Sequence, residues 1–201
     1  MARLGGHVDP FLALLAPLWV LWPSPLMLAL AQIVAVSLGA LPVFWLGRRH
    51  LGSESAAGLL ALGYLAYPWT ATSAAASIHP VTFAIPLYLF CIWFLDTDRL
   101  VPFALFALLA MSTGELMGLP IAALGVWYAL ARGRRLAGTV IAVAGAAWMF
   151  ITPGSGHPSP FDTAWALGVA AVTVALAVRA SRSKVELAGS DPGARLAARP
   201  A

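Results

Sequence analysis

Residues 100–135 read LVPFALFALLAMSTGELMGLPIAALGVWYALARGRR, and Glu115 is the only acidic residue between positions 100 and 131. An apolar run leads to a tight Ser-Thr-Gly-Glu turn, and a second apolar run follows and stops at Arg132, Arg134 and Arg135. The pattern is that of a helical hairpin with one acid at its tip and cations at its base. An uncompensated carboxylate costs several kcal/mol in such surroundings. Either Glu115 surfaces with the chain between two spans, or it faces a watery cavity and has a task. The hairpin leaves almost no loop at Thr113-Gly114-Glu115, so the carboxylate is expected at headgroup depth or deeper.

The rest of the chain has the same character. It has 201 residues, 61% apolar and 10% charged, with a mean hydropathy of +0.86. A soluble domain carries roughly a quarter charged residues. Several apolar runs approach the ~20 residues of a membrane-crossing helix, and no period-2 alternation suggests a barrel. The expected fold is all-α, a polytopic helical membrane protein with about seven transmembrane helices and an N-terminal interfacial helix. Gly5, Gly6, His7, Asp9 and Pro10 interrupt the N-terminus before any apolar run, which argues against a cleavable signal peptide. The single Cys91 excludes an internal disulfide. A net charge of +4 is assigned to membrane topology rather than to nucleic acid.

In chain order, residues 1–23 form an outer-face segment with an interfacial helix over 8–22. Residues 24–179 form the transmembrane domain, and 180–201 a disordered cytoplasmic tail. The spans are expected at 24–46, 55–74, 81–95, 100–113, 116–131, 136–152 and 161–178. Ser24 caps the first, with Pro25 at its first helical position. This layout puts every Lys and Arg except Arg3 on one side, the cytoplasmic side by the positive-inside rule. The opposite face collects His7, Asp9, His79, Glu115, His157 and Asp162. Trp19, Trp22, Trp45, Tyr67, Trp69, Trp93, Trp127 and Trp148 fall near span ends and read as an interfacial belt. Gly58, Ala61, Gly63, Gly138, Ala142 and Gly145 read as close-packing positions.

The outer histidines and carboxylates have the chemistry to bind a divalent metal, act as a general base or hold a phosphate headgroup. Their spacing does not choose among these, and none forms a local metal motif. The plainer readings stay open beside them. His79 serves equally as a surface turn residue, His7 and Asp9 as a solvated N-terminus, His157 as a loop residue, and Asp162 as a helix-start acid. No P-loop, dinucleotide fingerprint, nucleophile elbow or CxxC pair is present.

Three stretches together resemble a family of uncharacterised bacterial polytopic membrane proteins, a domain of unknown function related to the GT-C glycosyltransferases. They are His7 to Gly52, Ile78 to Phe90 (IHPVTFAIPLYLF), and Met111 to Arg135, which holds STGEL and AALGVWYALARGRR. The family's first motif resembles His-Phe-Ser-Pro, an apolar run and Pro-Ser-Pro-Leu. Here these are His7-Val8-Asp9-Pro10 and Pro23-Ser24-Pro25-Leu26. Its Phe-His-Pro is matched by Ile78-His79-Pro80, and its Lys-Glu-Asp only by Glu115, with Gly114 and Leu116 on either side.

The resemblance covers roughly residues 7 to 152 and implies a polyprenyl-phosphate sugar as donor. It gives Glu115 the role of base or divalent-metal ligand, His79 that of orienting the phosphate, and His7 and Asp9 contacts to substrate. Longer members have an upstream span and an acid-bearing outer loop, so an N-terminally truncated or inactive copy is the expectation. The rival expectation is a non-catalytic membrane protein, a transporter or assembly partner with a polar outer vestibule.

Overall fold

Helix boundaries in this chain are set largely by its prolines and small caps. The computed structural model describes residues 11–67 and 80–151. They fall into two units, one reaching Met117 and the other running from Gly118 to Phe150. The described residues are helical throughout, with no strand: α1 Phe11–Leu21, α2 Pro25–Leu38, α3 Ala40–Leu51, α4 Glu54–Ala66, α5 Pro80–Asp96, α6 Leu100–Met111, a 3-10 turn Glu115–Met117, α7 Gly118–Ala131 and α8 Arg135–Ile151. The expected span at 161–178 and the tail lie outside the described residues.

Ser24 and Pro25 begin α2 as the sequence predicts. The Ser24 hydroxyl accepts from the Leu26 amide at 3.3 Å, and Pro25 occupies the first turn, where its missing N–H costs nothing. The expected span over 24–46 runs on to Leu51 and is broken at Gly39. The cause is Pro42, which has no N–H for the Leu38 carbonyl and whose ring crowds it. Tyr64 of α4 packs into the break. Its hydroxyl donates to the Val36 carbonyl at 2.9 Å, and a Cβ on Gly39 would collide with that hydroxyl.

The second expected span, 55–74, is interrupted after Ala66, and its residues 68–74 lie outside the described residues. α4 starts at Glu54, capped by the Ser53 hydroxyl on the Ala56 amide at 3.3 Å, and ends at Ala66. Tyr67 is extended, with φ −63° and ψ 123°, because a following proline disfavours helical backbone in the residue before it. Pro68 is that proline.

In the first unit, α3 and α4 pack closely where Gly47 meets Ala57. Gly58 and Gly63, expected as close-packing positions, have open space around them instead. Trp45 and Trp93, read in the sequence as belt residues, also pack into the first unit. With Phe90, Phe94 and Phe106 they form a half-buried aromatic cluster across α3, α5 and α6, with ring centroids 5.0–6.1 Å apart. Cys91 is fully buried and free, a packing residue as expected.

In the second unit, α7 and α8 are joined by a turn with Gly133 at φ +71°. They touch backbone to backbone, since a Cβ on Gly118, Gly125, Gly138 or Gly145 would overlap main-chain atoms of the other helix. This is the packing predicted for Gly138, Ala142 and Gly145.

The α2–α3 run Pro25–Leu51, 27 residues with an 18-residue window of mean hydropathy 2.2, is the one helical stretch among the described residues long and apolar enough to cross a membrane. The other apolar helices are shorter. Large apolar side chains stand exposed along them, among them Leu59, Leu62, Val101 and Leu105.

Candidate functional site at the Glu115 end

Of the residues singled out in the sequence, Glu115 lies in the described part of the chain, and it opens the 3-10 turn after α6. His7, Asp9 and His79 lie outside the described residues, as do His157 and Asp162. Their described chain neighbours are Phe11, which follows Asp9-Pro10, and Pro80-Val81, which follow His79. Those neighbours can be compared directly with the turn that carries Glu115.

They converge on it. The Phe11 amide donates to the Ser112 carbonyl at 3.2 Å. A Cβ on Gly114 would sit 3.5 Å from Val81 Cγ2. The Phe11 and Phe83 rings lie 5.0 Å apart, and with Leu15 they form a buried cluster covered by Leu28, Ala35 and Leu87. One end of the first unit thus holds the start of α1, the start of α5 and the turn after α6. These are the chain positions adjoining the three motifs.

The turn is a compact piece of backbone. Ser112 and Thr113 donate their hydroxyls to Leu109 O and Ala110 O, each at 2.7 Å, and so satisfy carbonyls that the end of α6 leaves open. The Gly114 amide donates to Met111 O at 3.3 Å, and the Met117 amide to Gly114 O at 3.2 Å. Thr113 is fully buried. Among the described residues, no three His, Cys, Asp or Glu side chains group closely enough to hold a metal ion.

The opposite end of the same unit contains a group that the sequence did not suggest. Asp96, the last residue of α5, is 4% exposed. Its Oδ2 lies 2.9 Å from Arg49 Nε and 3.2 Å from His50 Nε2, both in the last turn of α3. A carboxylate is poorly placed at a helix C-terminus and costly to bury; the Arg49 cation beside it offsets part of that cost. The chain then leaves α5 abruptly. Asp98 adopts φ +58°, its amide donates to Leu95 O and that of Arg99 to Phe94 O, which is a Schellman closure. Asp96, Asp98 and Arg99 read in sequence as a loop, and nothing local pairs Asp96 with α3. The only local signal was an acid following an apolar run that already held Trp93.

The chain matches no curated protein and no solved structure closely enough to carry an argument. A family of membrane proteins does match, over residues 1–170. The chain belongs to that family, described as "Predicted membrane protein (DUF2079)".

Proposed function

We propose that the chain is a multispanning membrane protein resembling the GT-C glycosyltransferases, and that its Glu115 end handles a polyprenyl-phosphate sugar. The observation that carries this reading is the convergence of the segments next to Asp9, His79 and Glu115, through Phe11–Ser112 and Val81–Gly114. A shared location of the segments adjoining three motifs far apart in sequence supports a shared task.

Lengths and charges support a placement in a bilayer. α5 rises about 25 Å over its 17 residues, between the Glu115 end and the Arg49–Asp96 end, against a hydrocarbon core of about 30 Å. Exposed leucines and valines along the helices suit contact with lipid. The cationic end faces the cytoplasm by the positive-inside rule, and Glu115 lies toward the outer face.

In the proposed reaction an acceptor hydroxyl oxygen attacks the anomeric carbon of the sugar. The bond from that carbon to the phosphate oxygen breaks, polyprenyl phosphate leaves with the bonding pair, and the Glu115 carboxylate takes the hydroxyl proton. His79 orients the phosphate, and His7 and Asp9 contact the substrate.

The test is binding of a polyprenyl-phosphate sugar to the purified full chain in detergent, with and without Mg2+, for wild type, Glu115→Gln and His79→Ala. Saturable binding weakened by roughly tenfold or more in each variant supports the reading. Absence of binding by folded wild-type protein contradicts it and leaves the transporter or assembly-partner reading.

A further inference from the structure

The α7–α8 turn gathers three arginines in a stretch without acids. Arg132, Arg134 and Arg135 fall within four positions, and no Asp or Glu occurs between positions 116 and 161. Gly133, at φ +71°, reverses the chain there, and the Gly138 amide donates to the Arg134 carbonyl at 2.8 Å as α8 begins. Arg134 and Arg135 are exposed and Arg132 is half-buried. The backbone contacts between α7 and α8 at Gly125–Gly138 and Gly118–Gly145 hold the two flanking helices together, so the cations are presented from a fixed hairpin. The end of α3 differs. There Arg48 meets Glu54 at 3.1 Å and Arg49 meets Asp96 at 2.9 Å, whereas the α7–α8 hairpin contains no carboxylate to meet its arginines.

The adjoining helix adds an apolar track. Leu136, Val140 and Val143 are 82%, 60% and 62% exposed. Spaced by four and three residues, they share one face of α8 and lead away from the arginines along it for about 10 Å. A guanidinium matches phosphate oxygens two at a time. A free phosphate would use the arginines alone, while a phospholipid uses both features, its phosphate on the guanidinium groups and an acyl chain along the track. The positive-inside rule turns this end toward the cytoplasm, whose leaflet carries anionic lipids.

We infer that the α7–α8 turn is a binding site for an anionic phospholipid, whose headgroup phosphate is held by Arg134 and Arg135 and whose acyl chain lies on Leu136, Val140 and Val143. The test titrates the purified full chain in detergent with phosphatidylglycerol and with phosphatidylcholine of the same chains, and uses inorganic phosphate as a competitor. The proteins compared are wild type, Arg134→Gln, Arg135→Gln, the double variant, and Arg48→Gln, which removes one exposed charge away from the turn. Thermal melting of each accompanies the titrations, and the comparison of ligands on wild-type protein needs no variant to fold.

The expected result for wild type is phosphatidylglycerol bound roughly tenfold or more tighter than phosphatidylcholine, with no displacement by inorganic phosphate at the same concentration. Each turn substitution weakens phosphatidylglycerol binding roughly fivefold, and Arg48→Gln changes it by less than about twofold. Equal affinity of wild type for the two lipids overturns the inference, as does wild-type affinity in the folded double variant. Displacement by inorganic phosphate overturns it in favour of a simple anion site, and an equal loss in Arg48→Gln in favour of net charge alone. Each of these outcomes leaves the Glu115 end as proposed.

Discussion

Asp96 shows how one side chain ties two helices that the sequence keeps far apart. Its carboxylate is nearly enclosed, while Arg49 and His50 are about half exposed. Solvent therefore screens the cations more than the anion. Removing Arg49 takes a cation away from a buried carboxylate, and a fully buried pair broken in this way loses about 3–5 kcal/mol. With Arg49 partly exposed, a loss of about 1–2 kcal/mol is the reasonable scale. Arg48 pairs with Glu54 at 3.1 Å, with both side chains well exposed, and such surface pairs contribute about 0–1 kcal/mol. Arg49→Ala is accordingly expected to lower the melting temperature of the detergent-solubilised protein clearly more than Arg48→Ala. Equal effects would mean that the Asp96 pair carries no special weight. The sequence could not reveal this pair, because the Arg49-His50 cluster reads equally well as a free topology signal and Asp96 as the first residue of a loop.

At the scale of helices, what was legible came from residues acting on their immediate neighbours. Ser24 and Pro25 start α2, and Gly138, Ala142 and Gly145 mark a close approach of α8 to α7. What was missed came from residues acting one turn away or across to another helix. Pro42 breaks the first span at Gly39 and Pro68 sets the extended backbone of Tyr67 that ends α4, yet both prolines sit inside runs that hydropathy alone joins together. Gly58 and Gly63 look like packing glycines and have open space, because α3 meets α4 at Ala57 instead. This contrast gives a direct comparison. Gly125→Leu drives a side chain into the backbone of α8 and is expected to destabilise by about 1–3 kcal/mol or more. Gly58→Leu enters open space and is expected to be neutral or slightly stabilising through helix propensity. Thermal melting of the two variants decides the matter, and equal losses would contradict the packing described here.

For the whole molecule, composition established the membrane helical class, and the order of three motifs pointed to a shared site. Where the segments adjoining those motifs meet was not legible, because it depends on contacts between helices with no local signature: an amide on a carbonyl between Phe11 and Ser112, and van der Waals contact between Val81 and a Cβ placed on Gly114. The proposed function requires that His79 and Glu115 belong to one site. The most direct measurement is oxidative cross-linking of the pair His79→Cys and Glu115→Cys in native membranes, with Cys91 replaced by alanine so that no other thiol competes. Gly47→Cys with Ala57→Cys serves as the positive control, since a Cβ on Gly47 would lie 3.2 Å from that of Ala57, within reach of a disulfide. Rapid disulfide formation by both pairs is the predicted result. A control pair that closes while the 79–115 pair stays reduced would contradict a common site and, with it, the proposed function.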